Sequence, residues 1–372
     1  MKRFLLLLCA FAGALLFSGC QSEGYKTIDG VIVFDTPARE PGQKSVLGLK
    51  TPPMETVRVG FIGLGMRGPG AVERFTHLHG VDIKALCDLY PERVDSAQAI
   101  LARRGFPAAE AYSGEEGWKQ LCERDDIDLV YIVTPWQKHV PMAVYAMEHG
   151  KHVAVEVPAA TSLDECWQLV NTAEKTQRHC MMLENCVYDF FELTTLNMAQ
   201  QGLFGEIIHA QGGYVHYLEE YWPAFQGNWR LEFNERHAGD IYATHGLGPI
   251  CQALNIHRGD KMNTLVSVAT GSFNGRKMSG KSGGSREFRN GDQTSTLITT
   301  QKGKTILLQH NVMTPRPYDR LYQLVGTDGY AAKYPVEGYA FGDPNFAGSK
   351  RPDIEALNTH GFVSEERKAE LM

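Results

Sequence analysis

A short apolar run, Val57-Arg58-Val59-Gly60-Phe61-Ile62, leads straight into Gly63-Leu64-Gly65-Met66-Arg67-Gly68, and this junction constrains the fold more than any other stretch. A run of that length and character suits a buried parallel strand. The glycines fall at G-x-G-x-x-G spacing, and a helix is predicted from Ala71 to His77. Gly63 would make the tight turn, Gly65 would let backbone N–H groups reach a pyrophosphate, and Gly68 would let the helix pack close to the strand. The phosphates would then lie on unpaired N–H groups at a helix N-terminus. A second apolar strand, Ile83 to Cys87, ends at Asp88, 20 residues past Gly68. A carboxylate there accepts both hydroxyls of an adenosine ribose and repels a 2′-phosphate, which favours NAD over NADP. The bland alternative is a glycine-rich turn with an incidental aspartate; the strand–turn–helix–strand–Asp order argues against it.

Strand and helix go on alternating. Pro91 opens a predicted helix to about Arg104, and Trp118 to Arg124 reads as another. Leu129 to Thr134 is an apolar strand ended by Pro135-Trp136 at the carboxyl edge, where open α/β sheets bind ligands. His139 to His149 is amphipathic and closes on Gly150 as a C-cap. Lys151 to Val157 is the next strand, ending Glu156-Val157-Pro158. Ser162 caps a helix to Gln177, with Glu165 completing a capping box. Cys180 to Leu183 is a further strand, running into Glu184-Asn185. Such alternation predicts a Rossmann-type, doubly wound parallel sheet of the α/β class over 57–184.

From Gly205 the pattern changes. Ile207 to Tyr217 alternates, and apolar or Thr-rich runs follow at Leu265 to Thr270, Thr294 to Thr300, Thr305 to Asn311 and Leu321 to Gly326. These predict an open, mostly antiparallel sheet with helices on one face, an α+β domain over 185–372 that would hold substrate. Residues 271–292, rich in Gly, Ser, Lys and Arg, read as a mobile surface loop. Glu365 to Met372 carries a helix pattern without a stop signal, which suggests a chain cut short.

At the other end, Met1-Lys2-Arg3 is basic, Phe4 to Phe17 apolar, and Ser18-Gly19-Cys20 a small-residue cleavage site. Residues 1–20 read as an export signal, too short for a spanning helix. Leu16-Phe17-Ser18-Gly19-Cys20 resembles a bacterial lipobox. That implies lipidation of Cys20 and an exported, envelope-anchored protein of the periplasm or outer membrane, membrane-bound only through acyl chains. Simple secretion is the alternative. Residues 21–56, with Pro37, Pro41, Pro52 and Pro53, read as a linker.

A length of 372 residues supports two domains. The net charge of −6 offers no basic face, so nucleic acid is a poor partner. None of the eight cysteines stands in C-x-x-C spacing, so no metal site of that kind is expected. Cys87, Cys122, Cys166, Cys180, Cys186 and Cys251 read mostly as buried thiols, with a disulfide left open.

A Rossmann domain with a strand ending Glu-x-Pro at 156–158, followed by an open-sheet domain, resembles the glucose–fructose oxidoreductase and inositol dehydrogenase superfamily. Ordinary dehydrogenases of that group carry lysine as the acid/base at the position of Val157, and valine cannot move a proton. Several segments are instead similar to glycoside hydrolase family 109, the NAD-dependent α-N-acetylgalactosaminidases. They are Gly63 to Gly68, Trp136-Gln137-Lys138-His139, Glu156-Val157, Glu184-Asn185-Cys186-Val187-Tyr188, Gly212-Gly213-Tyr214, Tyr242-Ala243-Thr244-His245-Gly246 and Arg316-Pro317-Tyr318. The resemblance covers about 57–330. It implies that Met66, Arg67, Asp88, Trp136, Gln137, Lys138, His139, Glu156, Val157 and Asn185 line NAD. It implies that Tyr214, Arg230, Tyr242, Ala243, Thr244, His245 and Tyr318 line a sugar. Chains of the family usually run longer than this one.

The resemblance also implies a redox route, an exception to the usual pair of carboxylates. NAD would oxidise the sugar at C3, a base would take the acidified C2 proton, the glycosidic oxygen would leave, water would add, and the hydride would return with retention of configuration. His245 and Tyr318 are the leading catalytic candidates. An imidazole titrates near neutral pH, and the glycines after His245 permit close approach. A satisfied core histidine and a packed core tyrosine are the alternatives. Glu156 would orient the nicotinamide ribose or accept a proton, or be a structural carboxylate at a strand end. Tyr214, His216, Tyr217, Tyr221, Trp222 and Trp229 offer faces for a sugar ring, or else a core or interface patch. Arg230 would hold a hydroxyl or acetamide oxygen, or pair with a surface carboxylate. His139 could merely cap its helix. The competing activities are an NAD-linked sugar dehydrogenase and a non-catalytic sugar-binding lipoprotein. A homo-oligomer is left open.

Overall fold

The computed structural model describes residues 25–224, 229–281 and 287–342, with Glu366, Ala369 and Glu370 besides. The leader, its Cys20 and most of the final helix pattern lie outside the described residues. The chain divides into two units, Met1–Lys44 and Ser45–Met372. In the first, β1 (Tyr25–Ile28) and β2 (Val31–Phe34) form an exposed antiparallel hairpin. Asp29 and Gly30 make its turn with φ of 50° and 79°, the left-handed pair that two-residue hairpins favour. The linker expected over 21–56 therefore contains regular structure. Its apolar, β-branched runs around Asp-Gly were the signal, outweighed in the composition by the prolines.

Residues 45–56 belong to the second unit. Val46 packs against a buried cluster, and Thr51 Oγ1 lies 2.7 Å from His179 Nε2. Next come β3 (Val57–Ile62), α1 (Gly68–Phe75), β4 (Val81–Asp88), α2 (Pro91–Arg103), β5 (Glu110–Ser113), α3 (Gly117–Cys122), β6 (Leu129–Ile132), α4 (His139–Glu148), β7 (His152–Val155), α5 (Leu163–Thr176) and β8 (Cys180–Met182). The sheet runs β5-β4-β3-β6-β7-β8, every pairing parallel. Strand order reverses between β3 and β6, which opens a crevice at their carboxyl ends. The doubly wound expectation holds.

Alternation along β3 feeds two cores. Val59 and Phe61 join Val72 and Leu101 on one face; Ile62 joins Ile132, Ala143 and Met147 on the other. Each large side chain so buried contributes about 1.5–3 kcal/mol. Ser162 Oγ accepts the Glu165 N–H at 3.2 Å, as the capping box requires. The reciprocal bond shifts by one residue, since Glu165 Oε2 takes the N–H and hydroxyl of Thr161.

The rest of the unit holds α6 (Phe190–Gln200), β9 (Ile207–Val215), α7 (Trp229–Arg236), α8 (Thr244–Ala253), β10 (Met262–Ala269), α9 (Asn274–Lys281), β11 (Thr294–Thr300), β12 (Thr305–Asn311), β13 (Gln323–Gly326), β14 (Gly329–Ala332) and β15 (Gly338–Phe341). The open sheet runs β10-β11-β12-β9-β13-β14-β15. Only β12 with β9 is parallel; the other pairings are antiparallel. Ile250 of α8 and Leu254 just after it bury against Ala210, Leu308 and Leu324, while Leu265, Val266 and Val268 of β10 are exposed.

One expectation is corrected here. Residues 271–292 are not simply a loop, because α9 lies within them. The Asp292 carboxylate accepts N–H bonds from Phe273, Asn274 and Gly275, so the cap arrives from well beyond the helix it serves. Met278 is buried with Phe288, and Ser279 donates to Glu235. Glycine and basic residues hid a helix held by tertiary contacts.

Candidate active site

A cavity of 860 Å³ opens along the crevice. Gly63 has φ of +96°, and a Cβ there would stand 2.6 Å from the Val133 carbonyl oxygen. A Cβ on Gly68 would stand 2.2 Å from the Gly63 oxygen, so only glycine lets α1 close onto the turn. Gly65 borders the cavity, and a Cβ there would meet only the Arg93 guanidinium, at 3.3 Å. The turn at Gly63 and the close packing at Gly68 are those their spacing implied. Asp88 is buried at the cavity wall, accepting from Leu64 N–H at 2.6 Å and Tyr90 N–H at 3.0 Å. Arg93 reaches the oxygen that Tyr90 uses, Oδ1, at 3.4 Å. A backbone cradle with a buried carboxylate at the adjacent strand end fits a dinucleotide with an unphosphorylated ribose.

Met66, Arg67, Gln137 and Lys138 line the same cavity, as do Trp136, His139, Glu156 and Val157. His139 is buried, with Nδ1 2.8 Å from the Pro158 oxygen and Nε2 2.8 Å from the Thr134 oxygen. Burial lowers its pKa. The ring ties the carboxyl ends of β6 and β7 together, so it shapes the wall instead of offering a free nitrogen. Glu156 is held by the buried Tyr131 hydroxyl, which donates to Oε1 at 3.1 Å, and by Arg67 at 3.7 Å. Burial, then the Glu156 charge, pushes the Tyr131 phenol up to about 12. Asn185 is exposed at the start of a short turn, Asn185–Tyr188, and is absent from the cavity lining.

The expected sugar residues gather beside the far wall. Trp136 stacks on Tyr242 at 5.4 Å and meets Trp229 and Phe233 edge-on at 5.2 and 5.1 Å. The Arg230 guanidinium lies over Tyr242 at 4.8 Å, Trp136 at 5.0 Å and Tyr214 at 5.9 Å, a cation held on three ring faces. Arg230, Trp229 and Tyr242 line the cavity; Tyr214, Ala243, Thr244, His245 and Tyr318 do not. Tyr214 and His245 reach it through Tyr242, whose ring lies 4.7 Å from Tyr214 and 4.8 Å from His245. The Tyr214 hydroxyl meets His216 Nδ1 at 2.8 Å, and His216 meets Tyr318 edge-on at 5.0 Å. Tyr318 remains half exposed, with desolvation raising its pKa. Trp222 is buried in the core beside these rings, so the aromatic stretch supplies both core and site.

His245 stands in the first turn of α8. A Cβ on Gly246 would fall 2.2 Å from the Gly213 nitrogen, and one on Gly212 2.5 Å from the Gly246 oxygen. Helix and strand touch backbone to backbone there, which sets the imidazole beside Tyr214, ring to ring at 5.3 Å. Its Nδ1 lies 2.7 Å from Glu184 Oε1. Burial opposes the Glu184 charge, but the His245 hydrogen bond and charge outweigh it and hold the carboxyl below the usual range. Cys186 is buried beside them, its thiol pushed up to about 12 by burial. Ligand atoms of Glu184, Cys186 and His245 all lie within 4.8 Å of one another.

Glu184, Tyr131 and Arg93 were given no role in the reading of the sequence. Glu184 had a visible signal: it follows the β8 end, at the same sheet edge as Trp136 and Glu156. Cys87, Cys122 and Cys186 are buried free thiols, Cys180 and Cys251 are half-buried, and Cys166 is exposed; no disulfide joins them.

Residues 57–184 match the oxidoreductase family with an NAD-binding Rossmann fold, and 188–340 match the glycosyl hydrolase 109 C-terminal domain. The first part is therefore an NAD-binding domain. A glycosyl hydrolase family 109 protein of Bacteroides fragilis is 60% identical over 370 residues, covering 97% of this chain and 78% of the relative. One from Bacteroides thetaiotaomicron is 62% identical over 344 residues, with 92% and 74% covered. Among solved structures, levoglucosan dehydrogenase with NADH and L-sorbose superposes with a TM-score of 0.61 at 19% identity, covering 83% of this chain and 79% of that one. Myo-inositol dehydrogenase from Lactobacillus casei, with NAD(H) and myo-inositol, gives 0.57 at 19% identity over 85% and 83%. At such identity the likeness shows the fold.

Proposed function

The chain belongs to glycosyl hydrolase family 109, and from that premise we propose that it removes terminal α-N-acetylgalactosamine from glycans by a redox-neutral, retaining cycle. The observation that carries this reading is the His245–Glu184 pair, 2.7 Å apart, beside a ring that also walls the dinucleotide cavity. A proton-handling pair there is what an elimination and re-addition at the sugar require. When bound, NAD would supply reversible hydride exchange with carbon 3 of the sugar.

The remaining work falls to the chain's own groups. His245, steadied at Nδ1 by Glu184, takes the carbon 2 proton, exchanges it with solvent and returns a solvent-derived proton to that carbon. Tyr318, kept protonated by desolvation, supplies the hydroxyl that assists the glycosidic oxygen. Glu156 orients the nicotinamide side of the cavity, fixed by Tyr131. Arg230, over three rings, holds a sugar hydroxyl or the acetamide oxygen. Val157 is buried and carries no proton, which counts against a net dehydrogenase. The leader ending at Cys20 supports export with a lipid anchor, a setting where a cofactor regenerated each turn needs no outside supply.

The test is an aryl α-N-acetylgalactosaminide offered to the purified protein while phenol and NADH are followed together. Phenol release over many turnovers without accumulating NADH supports the proposal. NADH build-up from free sugar selects the dehydrogenase, and no phenol under any cofactor supply selects a binding protein.

A further inference from the structure

We propose that Glu184, Cys186 and His245 form a binding site for a thiophilic divalent cation such as Zn²⁺, and that the ion shuts the enzyme off. The site stands on geometry alone; its inhibitory consequence rests on the acid/base role assigned above to His245. Each residue offers one ligand atom, and the atoms lie within 4.8 Å of one another. Tetrahedral zinc with bonds of roughly 2.0–2.3 Å spaces its ligands roughly 3.3–3.8 Å apart, so small side-chain shifts close the trio on an ion. The mixed oxygen, sulfur and nitrogen set suits zinc or cobalt better than magnesium or calcium, which take oxygen.

A second observation points the same way. Glu184 Oε2 and Thr244 Oγ1 are buried without a well-formed hydrogen bond among the described residues, and the Thr244 hydroxyl and the Cys186 thiol are donors near the Glu184 carboxylate. A buried carboxylate oxygen with only weakly aligned donors is costly, and a cation would satisfy it better. Arg320, a cation beside Cys186, does not forbid this, for it and Lys333 share the carboxylates of Asp189 and Glu192, two charges of each sign. On binding, the Cys186 thiol proton passes to solvent. The thiolate, the Glu184 carboxylate and a ring nitrogen of neutral His245 then bond the ion, with no electron transferred. His245 and Glu184 are thereby withdrawn from proton transfer. Glu184 and Cys186 belong to one segment and His245 to another, which is why cysteine spacing in the sequence did not reveal the trio.

Cobalt(II) is the probe, titrated into the full-length, NAD-loaded protein. The expected result is one bound Co²⁺ per chain with a thiolate-to-cobalt charge-transfer band, displaced by Zn²⁺ and lost in Cys186→Ala and Cys186→Ser. Zinc should inhibit phenol release reversibly, with EDTA restoring it, and each variant should need at least about tenfold more zinc. No band in the wild-type protein, which needs no variant to fold, overturns the site; so does a band that persists in folded Cys186 variants. A band without inhibition overturns the regulatory role. The spectrum needs no turnover, so failure of the glycosidase reading and failure of the metal site are read separately.

Discussion

His245 Nδ1 and Glu184 Oε1 meet at 2.7 Å, joining the first turn of a helix to the end of a strand 61 positions earlier. The carboxylate fixes the ring's orientation, as orienting acids do in proton-transfer pairs. Glu184→Gln keeps the shape and removes the charge. It should lower kcat by about tenfold or more, and His245→Ala by at least as much. Because the two act as a unit, the double variant should be no slower than His245→Ala. Steady-state rates on an aryl glycoside check this; additive losses would show that they work apart.

Gly246→Ala pits two effects against each other. Replacing a helical glycine ordinarily stabilises by about 1 kcal/mol. Here the new methyl meets the Gly213 backbone nitrogen at 2.2 Å, and backbone cannot swing aside. Overpacking of this kind costs about 1–3 kcal/mol or more. The variant should melt below the wild type in a thermal unfolding scan. An unchanged or raised midpoint would mean that helix and strand are farther apart than described.

His310 is fully buried on β12, and desolvation, then the Arg230 charge, drives its pKa down to about 3. An unfolded histidine titrates near 6.5. Between those values the unfolded chain binds the extra proton, so stability rises with pH there. The stabilising effect is complete above about pH 6.5 and is lost as pH falls toward 3. Glu184 and Asp189, both lowered, add the same sign further down. Denaturant melts should lose stability below about pH 6.5, approaching about 1.4 kcal/mol per pH unit by pH 5 to 4 for this one proton. His310→Gln should flatten that slope.

Asp88 carries the prediction for the cofactor. Its carboxylate is buried at the cavity wall on the Leu64 N–H, the position that reads ribose hydroxyls. Asp88→Asn should lose most of its dinucleotide on desalting, with affinity reduced about tenfold or more. Cofactor content measured after denaturation tests this, and full retention would remove Asp88 from the ribose.

The Rossmann half was legible because its signals are local. Gly63, Gly68 and Asp88 each act within a strand or turn of their neighbours, and the strand-end positions Trp136 and Glu156 follow from the same sheet edge. What could not be read were pairings made across the fold. Glu184 finds its meaning only when Gly246 and Gly213 bring α8 onto β9. The helix at Asn274–Lys281 is invisible without Asp292 arriving from the far side to cap it. His139 looks like a ligand in sequence, yet its nitrogens face two carbonyls that only the parallel sheet brings together.

The central claim is that the sugar loses and regains the hydrogen at carbon 2 during each turn, beside a cofactor that ends unchanged. Hydrolysis run in D₂O tests it directly, with mass and proton spectra of the released sugar. Deuterium at carbon 2 of the released N-acetylgalactosamine is the predicted result. A product carrying only protium at carbon 2 would contradict the cycle and point to direct displacement at the anomeric centre.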